Sequence, residues 1–113
     1  MFTPDVEEIE VSIKELQKTV ALADAFERLK ANSDFQAVMD KAYFEEEAMR
    51  LTKLFGDPRP ELSSEEILAD IAAIGSVFRF FLRIAAMGDL ARSEIDEHRQ
   101  TQNEILAEEV DNT

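Results

Sequence analysis

Residues 63–87 read SSEEILADIAAIGSVFRFFLRIAAM, and this stretch decides the fold. Ser63 and Glu66 have the separation of a capping box, in which each side chain satisfies an orphan backbone amide of the other residue. From Ile67 the apolar residues Ile71, Ile74, Phe78, Phe81 and Ala85 follow at alternating steps of four and three, the seam of a coiled coil. No proline occurs after Pro60, so the helical period runs on to Glu108. About 44 residues at ~1.5 Å each make a rod of ~65 Å. A compact domain of this length has a radius of gyration of only ~13 Å. The expected fold is therefore all-α, with two or three helices. One is a very long C-terminal helix, and the whole is a helical hairpin with coiled-coil packing.

Upstream, Gly56 is a good C-terminal cap, and Asp57-Pro58-Arg59-Pro60 cannot continue a helix. This break reads as a reversal between two arms. In the first arm Thr3 caps and Pro4 takes the first helical position. Asp5, Glu7 and Glu8 favour the positive end of the helix dipole. Val6, Ile9, Ile13, Leu16, Val20 and Ala23 form a seam, and Leu22, Phe26 and Leu29 form a second stripe on an adjacent face. The helix fades near Asn32. Ser33-Asp34-Phe35-Gln36 reads as another capping box, opening a helix through Phe35, Val38, Met39, Ala42, Tyr43, Ala48, Met49, Leu51 and Leu54. Glu45, Glu46 and Glu47 are expected on its exposed side. The organisation expected is one helical domain over 1–113: an arm at 3–55 broken near 32–33, a turn at 56–62, a long helix at 63–108 and a frayed tail at 109–113.

Twelve Lys and Arg face 25 Asp and Glu, for a formal net charge of −13. That field opposes direct binding of phosphate backbones. The absence of cysteine excludes disulfides, thiolate metal sites and thiol catalysis. The acidic start, Met1 to Glu10, is unlike a secretory signal. Asp70, Arg79 and Arg83 interrupt the most apolar run, so no membrane span is expected.

Val77, Phe78, Phe80, Phe81, Leu82, Ile84 and Met87 point around most of the long helix, which needs cover on several sides. A homo-oligomer follows as the expectation. Its self-interface or partner interface is assigned to Ile67, Ile71, Ile74, Val77, Phe78, Phe80, Phe81 and Ile84, together with Ile9, Ile13, Leu16 and Val20. Gly75 and Gly88 mark either close helix contacts or bends. Arg79 and Arg83, four apart, are candidate contacts for a partner carboxylate or phosphate, or else cations that reach water or the acidic first arm.

His98 follows Glu94 by one helical turn, but Ile95 stands where a di-iron bundle needs Glu. Glu65, Glu66 and Asp70, then Glu94 and Glu97, only approximate the acid pattern of magnesium-dependent nucleotide pyrophosphatases. No phosphate loop, serine elbow or zinc spacing is present. No catalytic residue, metal or cofactor is expected.

One pattern is specific. Phe26-Glu27-Arg28-Leu29, Asn32, Asp34-Phe35 and Val38 are followed by Tyr43-Phe44, Glu47-Ala48 and Arg50-Leu51. Ile74-Gly75, Phe80-Phe81 and Met87-Gly88 come later. About two thirds of the chain thereby resembles small helical proteins of tailed bacteriophages, which are encoded near virion structural and DNA-packaging genes. The resemblance implies a structural or assembly role, located in the host cytoplasm and the virion. It also implies a head or portal component as partner, and it supplies no catalytic residues. The function expected is a non-enzymatic structural or assembly protein that self-associates and docks onto a larger virion component. The alternatives are an acidic inhibitor that imitates DNA on a host protein, and a magnesium-dependent nucleotide hydrolase.

Overall fold

The computed structural model describes residues 5–56 and 63–111. All of the regular structure among them is helical. Helix α1 is Val6–Lys30. Helix α2 covers 33–56 and joins three segments, Ser33–Phe35, the π-helical Gln36–Glu47 and Ala48–Gly56. Helix α3 is Ser64–Asp111 and ends three residues beyond the expected Glu108, so the tail expected to fray from 109 is helical as far as Asp111. Contacts divide the chain into two compact units. One is built from Met1–Ala25 and Ile84–Thr113, the other from Phe26–Arg83.

The first unit pairs α1 with the C-terminal part of α3 in antiparallel fashion. Gln102 meets the start of α1 and Arg92 meets Asp24 near its other end. Ile9, Ile13, Ala23 and Ala91 are buried in the seam. Gly88 is buried as well, and a Cβ added there would fall on that of Ala23. Gly88 thus marks a close contact. Gly75 does not, since a Cβ at that position meets only the flexible end of Arg79, at 3.3 Å.

The second unit packs α2 antiparallel to the first half of α3. Leu51 meets Ile67 and Ile74 in one cluster, with Tyr43, Phe44, Ala48, Leu54 and Ile71 around it. At the other end the Phe81 ring stacks on Phe26 at 4.9 Å and touches Phe35, Phe44 and Phe80.

The helix starts refine the sequence reading. The start expected at Thr3 and Pro4 lies outside the described residues, and α1 is capped instead by Asp5, whose carboxylate accepts from the Glu8 amide at 2.8 Å. Ser63 does cap α3, accepting from the Glu66 amide at 3.2 Å. At α2 the cap is Asn32 rather than Ser33. Its side-chain oxygen accepts from the Asp34 and Phe35 amides at 2.9 and 3.1 Å. Gln36, expected to reach back to Ser33, donates to the Lys30 carbonyl at 2.6 Å and ties α2 to the end of α1. Asn32→Ala is expected to cost about 1 kcal/mol and Ser33→Ala to change little; urea unfolding of the two variants checks the contrast. The turn expected after Gly56, with Pro58 and Pro60, lies outside the described residues.

The π-helical segment alters which residues of α2 face inward. Hydrogen bonds from i to i+5 widen the turn, so the inward-leaning positions recur by four and five: Phe35, Met39, Tyr43 with Phe44, then Ala48. Glu47 is drawn to the inner side, half-buried, whereas Val38 and Met49 are exposed. The expectation that Glu45, Glu46 and Glu47 share one exposed face therefore fails for Glu47.

Candidate functional site

Two surface features of the second unit stand out. The first is an open groove of about 600 Å³ between α2 and α3. The wide turn of α2 supplies Val38, Met39, Ala42 and Tyr43, and α3 supplies Ala73, Ile74 and Val77. Glu47 and Asp70 also line it. Arg50 grips Glu47 with two nitrogens and, by its hydrogen bonds, holds the Glu47 carboxyl below the usual carboxylate range. The Glu47 hydrogen bond first, and the Asp70 charge last, raise the Arg50 pKa in turn. The volume lies within the range of ligand and side-chain pockets, and the lining is predominantly apolar with a few polar groups.

The second feature lies further round α3. Phe78, Phe80 and Leu82 are exposed to 49%, 46% and 56%. At ~100° per residue Phe78 and Leu82 lie on one flank of α3 and Phe80 on the other, with Arg79 and Arg83 between them. Ser76, Arg79, Phe80 and Arg83 line a shallow hollow. The Arg83 guanidinium stands 5.6 Å from the Phe80 ring centre, within cation–π range. Residues 71–88 contain no Asp or Glu. Neither arginine has an ion-pair partner among the described residues. In a chain of charge −13, this is a local strip of positive charge with exposed apolar side chains on both flanks.

The remaining candidates are placed as follows. Ile9, Ile13, Ile67 and Ile74 are buried inside the chain. Their assignment to a self-interface or partner interface is corrected on that ground, because intramolecular packing of α1 and α2 on α3 already covers them. Leu16, Val20, Ile71, Val77, Phe81 and Ile84 are half-buried. Phe78 and Phe80 are left with large exposed area. His98 is half-buried beside Glu8, Ile9, Ser12 and Thr101. Among the described residues no three His, Asp or Glu side chains gather as a metal site, so Glu65, Glu66, Asp70, Glu94 and Glu97 do not converge. No described helix is long and apolar enough to cross a membrane.

Sequence reasoning missed Gln102, the one buried polar side chain among the described residues. Its amide donates to the Val6 carbonyl at 3.2 Å and to the Glu10 carboxylate at 3.0 Å, and its oxygen accepts from Arg99 at 3.1 Å. Arg99 also bonds Glu10, at 2.7 Å. The Gln102 bond first, and Arg99 second, hold the Glu10 carboxyl below its ordinary value. A depressed folded pKa gives stability that is present above the unfolded carboxylate pKa and is lost as pH falls through the folded value. Gln102→Leu is expected to return the Glu10 pKa toward the ordinary carboxylate value, which a carboxyl-detected NMR titration reads directly. An unchanged Glu10 titration would contradict the assigned cause.

No protein-family model matches the chain, and comparison with curated proteins and with solved structures gives no match.

Proposed function

We propose that the chain is a non-enzymatic bacteriophage protein that self-associates through its helices and docks onto a larger virion component, such as a head or portal protein. The observation that carries this reading is the side of α3 where Phe80 remains exposed beside Arg79 and Arg83, with Phe78 and Leu82 exposed on the far flank of the two arginines. Exposed aromatic residues beside arginine are among the commonest anchors of protein interfaces. The groove between α2 and α3 offers a receptor of matching kind. The phage assignment rests on the resemblance through Phe26 to Leu51 and Ile74 to Gly88. The net charge of −13 directs the surface toward proteins and away from nucleic acid.

The test is the composition of purified particles and assembly intermediates of the encoding phage, read by mass spectrometry after chemical crosslinking. The chain is expected there, crosslinked both to itself and to a head or portal component. Its absence from particles and intermediates alike would overturn the assembly role.

A further inference from the structure

We infer that copies of this chain join head to tail, the Phe80 side of one α3 entering the groove between α2 and α3 of the next copy. The inference rests on the self-association reading and names the surfaces that carry it.

The two surfaces have complementary chemistry. The groove is apolar, and Asp70 and the Arg50-paired Glu47 are the charged residues of its lining, so that Asp70 carries its uncompensated charge. The projecting side is aromatic and carries Arg79 and Arg83. Both belong to the same compact unit, Phe26–Arg83. Around α3, at ~100° per residue, the groove positions 70, 74 and 77 lie about 60–120° from Phe80, while position 73, at the edge of the groove, lies about 20° from it. One copy can therefore present both surfaces at once.

Charge selects the occupant. A symmetric dimer through the projecting sides would bring two Arg79–Arg83 pairs together. One through the grooves would oppose the two Asp70 carboxylates, each Glu47 being already paired with Arg50. Like charges across an interface disfavour both arrangements. Only the crossed arrangement matches cation with carboxylate and ring with apolar wall. It leaves a free groove at one end of the pair and a free Phe80 at the other. Such a heterologous contact closes into a ring or continues as a filament.

The experiment uses the full chain and two single variants at exposed positions. Phe80→Asp turns a carboxylate toward the acidic groove. Ala42→Lys sets a cation in the groove, on its α2 wall, against Arg79 and Arg83. Circular dichroism confirms that each stays helical. The native mass of wild type, of each variant and of their equimolar mixture is then measured by light scattering over a range of concentrations. The expected result is a wild-type multimer and monomeric variants, with association weakened about thirty-fold or more, as for a hot-spot anchor. The mixture is expected to form a one-to-one pair, because the intact groove of one variant meets the intact Phe80 of the other. If either variant loses helix, Arg83→Glu and Asp70→Lys make the same comparison. A wild-type multimer whose variants still assemble, or whose variants fail to pair when mixed, overturns the head-to-tail contact and leaves self-association standing. A wild type that is monomeric at every concentration overturns both.

Discussion

Phe81→Ala is expected to destabilise the protein by about 3 kcal/mol, the low end of the range for removing a large aromatic side chain from a core. Four other phenylalanines touch this ring. Phe26 stacks on it at 4.9 Å, Phe35 and Phe80 lie tilted at 5.8 and 6.0 Å, and Phe44 meets it edge-on at 6.0 Å. Aromatic pairs contribute about 0.5–1.5 kcal/mol each beyond the area they bury. Partial exposure of Phe81 reduces the transfer contribution and keeps the total below the upper limit. Removing the ring also unties the end of α1 from α2, since Phe26 and Phe35 both pack against it. The same change at Phe80, which is 46% exposed and touches only Phe81 among the described rings, is expected to cost about 1 kcal/mol. Urea unfolding followed by circular dichroism separates the two. Equal losses at both positions would contradict the placement of Phe81 at the centre of the cluster.

Gly88→Ala carries the second large effect, a loss of about 1–3 kcal/mol from overpacking. Helix propensity alone predicts the opposite sign, since Ala is favoured over Gly by about 1 kcal/mol in a helix interior. The new methyl, however, would fall on the Ala23 Cβ, with the Ala23 Cα 3.8 Å away. A short side chain has no flexible end to move, so the helices must separate. Gly75→Ala supplies the control. Its methyl meets only an Arg79 nitrogen at 3.3 Å, a flexible end that can yield, so this variant is expected to gain up to about 1 kcal/mol. Ala23→Gly removes the obstructing methyl and costs about 1 kcal/mol alone. Combined with Gly88→Ala it merely exchanges the two residues across the seam. The double variant is therefore expected to lie near wild-type stability, the coupling between the neighbouring sites cancelling the two single losses. Simple addition of the two single losses would contradict the close contact.

Much of the fold is legible in the sequence because helical periodicity is a local signal. The steps of three and four through Ile9, Ile13 and Ala23, and through Ile67 and Ile74, mark residues that are buried. The long C-terminal helix, uninterrupted by proline, packs against the N-terminal helix. What escapes the sequence depends on partners distant along the chain or on backbone geometry that several sequences share. Asn32 and Ser33 are both good caps, and only the path of the chain into α2 selects Asn32. Gln102 looks like one more polar residue near an acidic terminus until Val6, Glu10 and Arg99 converge on it. Gly75 and Gly88 occupy the same kind of helical context, and Ala23 alone distinguishes them. The inward turn of Glu47 follows from the π-helical hydrogen bonding of residues 36–47, which the apolar pattern does not encode.

The candidate surface is legible in part for the same reason. A run that is apolar most of the way round a helix announces that more than one face is covered. The sequence does not divide that run between the chain's own packing and a partner. Packing against α2 and the end of α1 takes Ile67, Ile74 and most of Phe81, and leaves Phe78, Phe80 and Leu82 outside. The groove has no sequence signature at all, because its two walls are brought together only by the reversal between α2 and α3.

The central claim is that this exposed surface joins copies of the chain. The native mass of the purified wild-type protein, measured by light scattering after size exclusion across a concentration series, tests it most directly. A defined mass several times that of the 12.8 kDa chain, growing or closing with concentration, is the predicted result. A mass that stays at one chain throughout would contradict it.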